Sequence, residues 1–453
     1  MRVVRRAGAI AAGWVVLVAF FVVSTTAMDA LPDERIAGTL VSANAAGQWD
    51  VDSTTNGFGL PLDRYTECVA FTQGLGSDAD RPGSVQSALS DLYLAPEGCA
   101  GVMERIQAVA AGDSAAVTPY FRYWHGYVLL TRPLLTYTAI PTLRLTVAAL
   151  LVGALAWLLV GLSRTLGPWS AVAFLPPLLL GSDLTALPES ATHAISWTVI
   201  LACSGAGFWL ARRGPWAIAA WALYSGSVFV FVDFLTNPPG ALVVLLLAVL
   251  AVGVAGSWGP GVLAWRTALA GGMWFLGYAG TWVAKWVLSA AVLGFDAVRA
   301  NVVGMVEFRL SGAHEEVSQQ FGAAIGKNLS TWLTMAGSVK AVVACCLVVC
   351  AVSLAVIAWR RASDLLYVGL FLVVAALPFA WYVVLSNHSQ IHAWFTYRSL
   401  PASLAVLTAG VVGLVVRRGA DDRIGDGWPP SAGTVQLNAS RDVPLGRPGG
   451  GQG

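Results

Sequence analysis

Ten long apolar runs punctuate the chain, at residues 7–27, 141–162, 167–183, 191–211, 215–236, 239–257, 266–292, 338–359, 365–386 and 399–416. Hydrocarbon cannot hydrogen-bond a free backbone, and about 20 helical residues are needed to cross it, so each run predicts a transmembrane helix. The run at 167–183 is the shortest and contains Pro176 and Pro177. Two longer polar stretches, 28–140 and 293–337, interrupt the series, and residues 419–453 are rich in Gly, Pro, Asp and Arg without apolar periodicity. The pattern predicts an all-α, polytopic transmembrane helical bundle of about ten spans with a large first loop. Its parts are an N-terminal transmembrane anchor (1–27), an extracytoplasmic loop module (28–140), the remaining bundle (141–418) and a disordered cytoplasmic tail (419–453).

The basic residues set the orientation. Arg2, Arg5 and Arg6 precede the first run; Arg164, Arg212, Arg213, Arg266, Arg360, Arg361, Arg417 and Arg418 fall in every second connection thereafter. Under the positive-inside rule both termini are cytoplasmic, and the 28–140 and 293–337 segments face outward. Thr25-Thr26-Ala27 offers an alternative signal-peptide cleavage site, but the apolar run before it is longer than an ordinary signal core, which favours a retained anchor. The predominance of Arg over Lys, with abundant Ala, Gly and Val, suggests a bacterial cell membrane.

Composition narrows the class further. The 453 residues are 57% hydrophobic and 11% charged, where soluble chains carry about a quarter charged. That excludes a soluble enzyme or a disordered regulator, and a net charge of +2 offers no basic face to nucleic acid. The lipid bilayer is the expected partner. The 28–140 loop carries thirteen acidic residues against six arginines, and a loop of this length with its own aromatic clusters is expected to be an ordered module. Cys68 and Cys99 both lie in it and are expected to form a disulfide in an oxidising compartment. Cys203, Cys345, Cys346 and Cys350 lie within runs as small apolar packers, and none has metal-ligand spacing.

Ionisable groups near a bilayer are costly, so the polar residues that topology does not require are the candidates for chemistry. Asp63 and Glu67 are four apart, which on a helix places two carboxylates on one face, suited to a general base with a companion acid or to a divalent cation. A solvated acidic helix start capped by Asp63 explains them equally well. Arg122, Trp124 and His125 lie in the aromatic segment 120–127 before the second run. An interfacial aromatic belt explains the Trp and Tyr residues, whereas the added Arg and His suit a platform for a sugar ring. Two of the chain's five histidines, His388 and His392, precede Arg398 between the last two runs, as a cationic pocket for phosphate would require; the alternative is a plain polar loop. Lys285, one of three lysines, stands in the outer half of the seventh run as an anchor or a lipid-phosphate partner. Asp183 and Asp233 read as helix-end caps.

With an acidic motif in a large first outer loop, basic and aromatic clusters on the same face and about ten spans, the chain resembles the GT-C superfamily of membrane glycosyltransferases. These move a sugar from a polyprenyl-phosphate carrier to an acceptor on the non-cytoplasmic side. The resemblance implies a lipid-linked sugar donor and a first-loop acid as base, by position Asp63 with Glu67 beside it; Asp33 and Glu34 are a rival placement. Arg398, His388, His392 and Lys285 would then meet the carrier phosphate, and the aromatics around Trp124 the sugar. The chain differs from oligosaccharyltransferases in having neither a WWD-type segment nor a large C-terminal soluble domain. Segments such as Arg122-Tyr123-Trp124-His125-Gly126 also resemble uncharacterised multi-span bacterial membrane proteins. Two other functions use the same residues: a transporter or flippase for a lipid-linked or anionic solute, and a non-catalytic envelope-assembly scaffold.

Overall fold

A computed structural model describes residues 2–52, 62–76, 84–95, 98–310, 315, 317–335 and 337–425. The first long helix is α1 (Arg2–Asp29). The segment after it folds into α2 (Asp33–Ala45), α3 (Arg64–Phe71), α4 (Val85–Ser90), α5 (Val102–Ala110) and α6 (Val128–Tyr137), with strands β1 (Leu92–Tyr93) and β2 (Thr118–Pro119) paired antiparallel. The bundle continues through α7 (Ile140–Leu166), α8 (Pro168–Gly181), α9 (Ala191–Arg213), α10 (Pro215–Val232), α11 (Pro238–Ala255) and α12 (Pro260–Leu293). A second connecting segment holds α13 (Phe295–Leu310) and α14 (Ala323–Thr334), followed by α15 (Gly337–Arg360), α16 (Leu365–Ala375) and α17 (Leu377–Val384). Two short helices, α18 (Ser386–Ile391) and α19 (Ala393–Thr396), lead into α20 (Ser399–Gly425).

Among the described residues, nine helices or helix pairs are long and apolar enough to cross a membrane. The expected tenth, 167–183, is α8, a 14-residue helix spanning about 21 Å, short of the ~30 Å hydrocarbon thickness. It nevertheless carries the chain back along the bundle. The turn after it reaches α3, because Arg64 donates to the Glu189 carbonyl at 3.2 Å, and α9 starts there, because His193 bonds Asp63. The helix of the last span runs on to Gly425, past the expected start of the tail at 419. Residues 426–453 of that tail lie outside the described residues, as do Asp78, Asp80 and Glu97 of the first loop.

Helix α11 is apolar on every side and sits at the centre of the bundle, touching α7, α9, α12, α16 and α20. Helices α10 and α12 pack so closely that a Cβ on Gly277 would stand 1.9 Å from the Leu223 carbonyl oxygen, and one on Gly226 2.2 Å from that of Trp274. Small residues permit that approach where apolar solvent supplies no hydrophobic drive between helices. Helix α12 has 34 residues, about 51 Å at ~1.5 Å per residue, so it outreaches the hydrocarbon. Its last turns pack against the α1–α7 segment through the indoles of Trp282 and Trp286, which donate to the Arg122 carbonyl at 2.8 and 3.2 Å.

Candidate functional site

Asp63 caps α3. Its carboxylate accepts from the Thr66 amide at 2.9 Å, the Thr66 hydroxyl at 2.6 Å and His193 Nε2 at 2.7 Å. It is 6% exposed, so the cap is a buried one and not a solvated helix start. Burial alone would raise its pKa, but the His193 and Thr66 bonds outweigh that and bring it down to about 2. Glu67, one helical turn on, is wholly buried and meets different partners. It pairs with Arg64, lies 4.0 Å from Arg144 and accepts from the Trp49 indole at 3.2 Å. Burial raises its pKa against the pull of both arginines. The shared face of Asp63 and Glu67 therefore holds two separate networks. Among the described residues no three His, Cys, Asp or Glu side chains gather as a ligand set for a metal ion.

The 120–127 segment divides by depth. Trp124 is buried against Phe21 and Phe231 and donates to the Thr281 carbonyl at 2.7 Å. Both ring nitrogens of His125 are engaged, with Tyr127 Oη at 2.8 Å and the Tyr120 carbonyl at 2.9 Å, and burial first, then Lys285, holds its pKa well below the usual value. His125 has φ of +56°, and a Cβ on Gly126 would stand 2.3 Å from the Phe231 ring and 2.6 Å from its carbonyl oxygen. The His-Gly pair is thus a pivot that lays the segment on α10. Lys285 is buried in an ion pair with Asp91, so it fastens α12 to the residue that ends α4. Cys68 and Cys99 are joined in a disulfide across a separation of 31 residues.

Five distant segments converge on one cavity of about 40 Å³ at this end of the bundle, lined by Tyr65, Thr66 and Val69 of α3, Tyr120 and Tyr123, Phe234, Arg309, and His388, His392 and Phe395. Arg309, near the end of α13, is its organising cation: it donates to His388 Nδ1 and, at 2.6 Å, to Tyr123 Oη. His388 Nε2 lies 2.9 Å from the Leu235 carbonyl. A carbonyl only accepts, so Nε2 carries the proton and Nδ1 is the acceptor for Arg309. His392 stacks on Phe395 with centroids 5.1 Å apart, and its buried Nδ1 has no hydrogen-bond partner. Burial first, then the Arg309 charge, lowers the pKa of both histidines, that of His392 to about 3. The segment bearing them is no exposed loop, since Asn387, His388, Ser389 and Gln390 are all buried. Asn328 of α14 holds it by donating to the Ser389 carbonyl and accepting from the Thr396 hydroxyl, at 2.8 and 2.7 Å.

Of the residues singled out in the sequence, His388 and His392 line this cavity, and Arg122 lines an adjoining chamber of about 90 Å³ that shares Tyr123 and Arg309 with it. Asp63 stands behind the wall that Thr66 forms. Glu67, Trp124, His125, Lys285 and Arg398 do not line either space. Arg398 is buried with its guanidinium carbon 5.3 Å from the Tyr397 ring centre, and its Nε and Nη1 have no partner. Sequence reasoning missed Arg309 and His193. His193 carried a signal, an ionisable side chain in the first turn of an apolar helix; Arg309 gave little, being one of several charges in a mixed connecting segment.

Fold and site together define an all-α polytopic membrane protein with a buried, cationic and aromatic cavity at one end of its bundle. No family model matches the chain, and neither a curated protein nor a solved structure does.

Proposed function

We propose that the protein is a membrane glycosyltransferase that moves a sugar from a polyprenyl-phosphate carrier to an envelope acceptor on the outer face of a bacterial cell membrane. The observation that carries this reading is the cavity where Arg309, His388 and His392 meet the aromatics Tyr120, Tyr123 and Phe395. Its orientation follows from the arginines of the short loops, which mark the opposite end as cytoplasmic.

In this reading Arg309 and Arg122 hold the carrier phosphate, and the tyrosines pack against the sugar. The acceptor oxygen attacks the anomeric carbon with inversion, the bond from that carbon to the phosphate oxygen breaks, and the phosphate leaves with the bonding pair. The acceptor proton goes to the neutral imidazole of His392, whose Nδ1 has no hydrogen-bond partner. A phosphate seated on Arg309 cancels the positive charge that depresses His392, so the base strengthens when the donor is bound. Asp63 is a positioning residue here: its acceptor positions are taken by Thr66 and His193, and it sets Tyr65 and Thr66 into the cavity wall.

The test is transfer by the full-length protein in nanodiscs, from a panel of polyprenyl-phosphate sugars to lipid and glycan acceptors. His392→Gln is expected to lower kcat at least a hundredfold at unchanged thermal stability, in the range of general-base losses of about 10²–10⁴. Transfer by His392→Gln and Arg309→Gln at the wild-type rate would sink the assignment.

A further inference from the structure

The cavity meets water at Tyr65. Of the residues lining it, Tyr65 alone is exposed, at 48%; Tyr120, Arg309 and His392 are partly so, and the rest are buried. Tyr65 stands on α3, in the module between α1 and α7 that the arginine pattern turns outward, so the medium at this rim is water and not hydrocarbon.

A single exposed tyrosine is ordinary on a protein surface. Two constraints set this one apart. The first is that its ring is fixed: the backbone of Gly98, at φ +71°, lies so close that a Cβ there would stand 2.2 Å from the ring. Cys99, the next residue, is joined by the disulfide to Cys68, one turn along α3 from Tyr65. A ring held in place before anything arrives loses little freedom on binding. The second is its company. Burial first, then the Asp63 charge, raises the pKa of the Tyr65 hydroxyl, while Arg122 and Arg309 pull it back, so the ring stands within the field of both arginines. The same opening is bordered by Arg309 and by His392, whose Nδ1 has no partner.

A sugar ring suits such a rim. Its C–H face stacks on an aromatic ring, and its hydroxyls take up the guanidinium and imidazole groups beside it. An extended peptide seeks main-chain partners along a sheet edge, and a lipid acceptor keeps its chains in hydrocarbon, away from α3.

We propose that Tyr65 is the platform for a saccharide acceptor: one sugar unit of a water-borne glycan stacks on its ring and turns a hydroxyl inward to His392. This rests on the transferase reading for the attack itself, and on the rim for the place and class of the acceptor.

Two readouts on the full-length protein in nanodiscs test it. Saturation-transfer NMR without donor follows binding of linear tetrasaccharides of glucose, mannose, galactose, arabinose and N-acetylglucosamine, with a Ser/Thr-rich peptide as the rival probe. The transfer assay then gives KM for the saccharide that binds and KM for the donor. At least one tetrasaccharide is expected to bind the wild type. Tyr65→Ala weakens that binding and raises the acceptor KM by about fivefold or more, as loss of one ring-stacking contact implies, and leaves the donor KM unmoved. Tyr65→Leu, which keeps an apolar side chain of comparable bulk but no ring, behaves as Tyr65→Ala does, and Tyr65→Phe recovers most of the lost affinity. Each variant is first shown to elute and melt as the wild type does. Wild-type saccharide binding by Tyr65→Ala and Tyr65→Leu overturns the proposal, and so does a wild type that binds no tetrasaccharide, whether or not it binds the peptide. If a saccharide binds through Tyr65 but no sugar is transferred, the transferase reading fails and the platform stands. If sugar is transferred and both ringless variants keep the wild-type acceptor KM, the platform fails and the transferase reading stands.

Discussion

His193 and Asp63 meet at 2.7 Å although 130 residues separate them in sequence, and their contact joins the first turn of α9 to the cap of α3. Three hydrogen bonds fill the carboxylate in a wholly enclosed place. This contact holds Tyr65 and Thr66 in the cavity wall.

Asp63→Asn removes the charge and turns an amide N–H toward groups that now donate, so about 2 kcal/mol of stability is expected to go, the scale of hydrogen bonds to a charged group. The wild-type contribution is also pH-dependent. The folded pKa of Asp63 lies below its ordinary value of 3.8, at about 2. The stabilisation is therefore complete above pH 4 and fades as pH falls toward 2. Thermal melts of the wild type and Asp63→Asn in detergent between pH 7 and pH 3 check this: the gap between the two narrows at the acid end. A constant gap contradicts the assignment.

Lys285 and Asp91 lie 194 residues apart and form a buried ion pair. Lys285→Met leaves Asp91 buried without its cation and is expected to cost about 3 kcal/mol. The double variant Lys285→Met with Asp91→Asn recovers most of that loss, because no desolvated charge is left and Asn tolerates the left-handed backbone at position 91. If Lys285 held a substrate phosphate, the double variant would melt normally yet lose lipid-phosphate binding. Retained binding is the expected result.

Gly126→Ala is expected to lower stability by about 3 kcal/mol or more, since overpacking by even a methyl group against fixed atoms is costly. Phe231→Leu does not rescue it, because the Phe231 carbonyl oxygen also stands 2.6 Å from the new Cβ position and backbone cannot move aside. Tm values of the single and double variants decide this.

His392 is held neutral in the free protein, with its pKa lowered to about 3 by burial and then by Arg309. Labelled-histidine NMR is expected to show no titration of this ring between pH 5 and 8. Arg309→Gln moves its titration upward toward the ordinary value, and a bound phosphate lipid does so in the wild type. An unchanged His392 shift in both cases would falsify the coupling.

Much of this architecture was legible along the chain. The spans are local: an uninterrupted apolar run must satisfy its own backbone in hydrocarbon, and only a helix does so. Asp63 as an N-cap was equally local, since Asp three residues before Thr66 meets a free amide in any context. His388 and His392 were flagged by spacing, and both reach the cavity. The failure at 167–183 is local as well, because an apolar window records composition, while Gly167 at φ +99° and the turn after Gly181 bound the helix at 14 residues.

What the chain alone determined is therefore the membrane class, the helix segments and the residue types too polar to be there without cause. Partners were decided only by the tertiary structure. Helical spacing put Asp63 and Glu67 on one face, but α9 delivered His193 to the first and α7 brought Arg144 near the second. Arg309 became the central cation because α13 folds back against the His388 segment 79 residues downstream. Lys285 and Trp124, prominent in sequence, were consumed by packing. The physical reason is that a buried charge is stable only beside a compensating group. Which group comes within 3 Å depends on how helices far apart in sequence pack, and hydropathy carries no record of that.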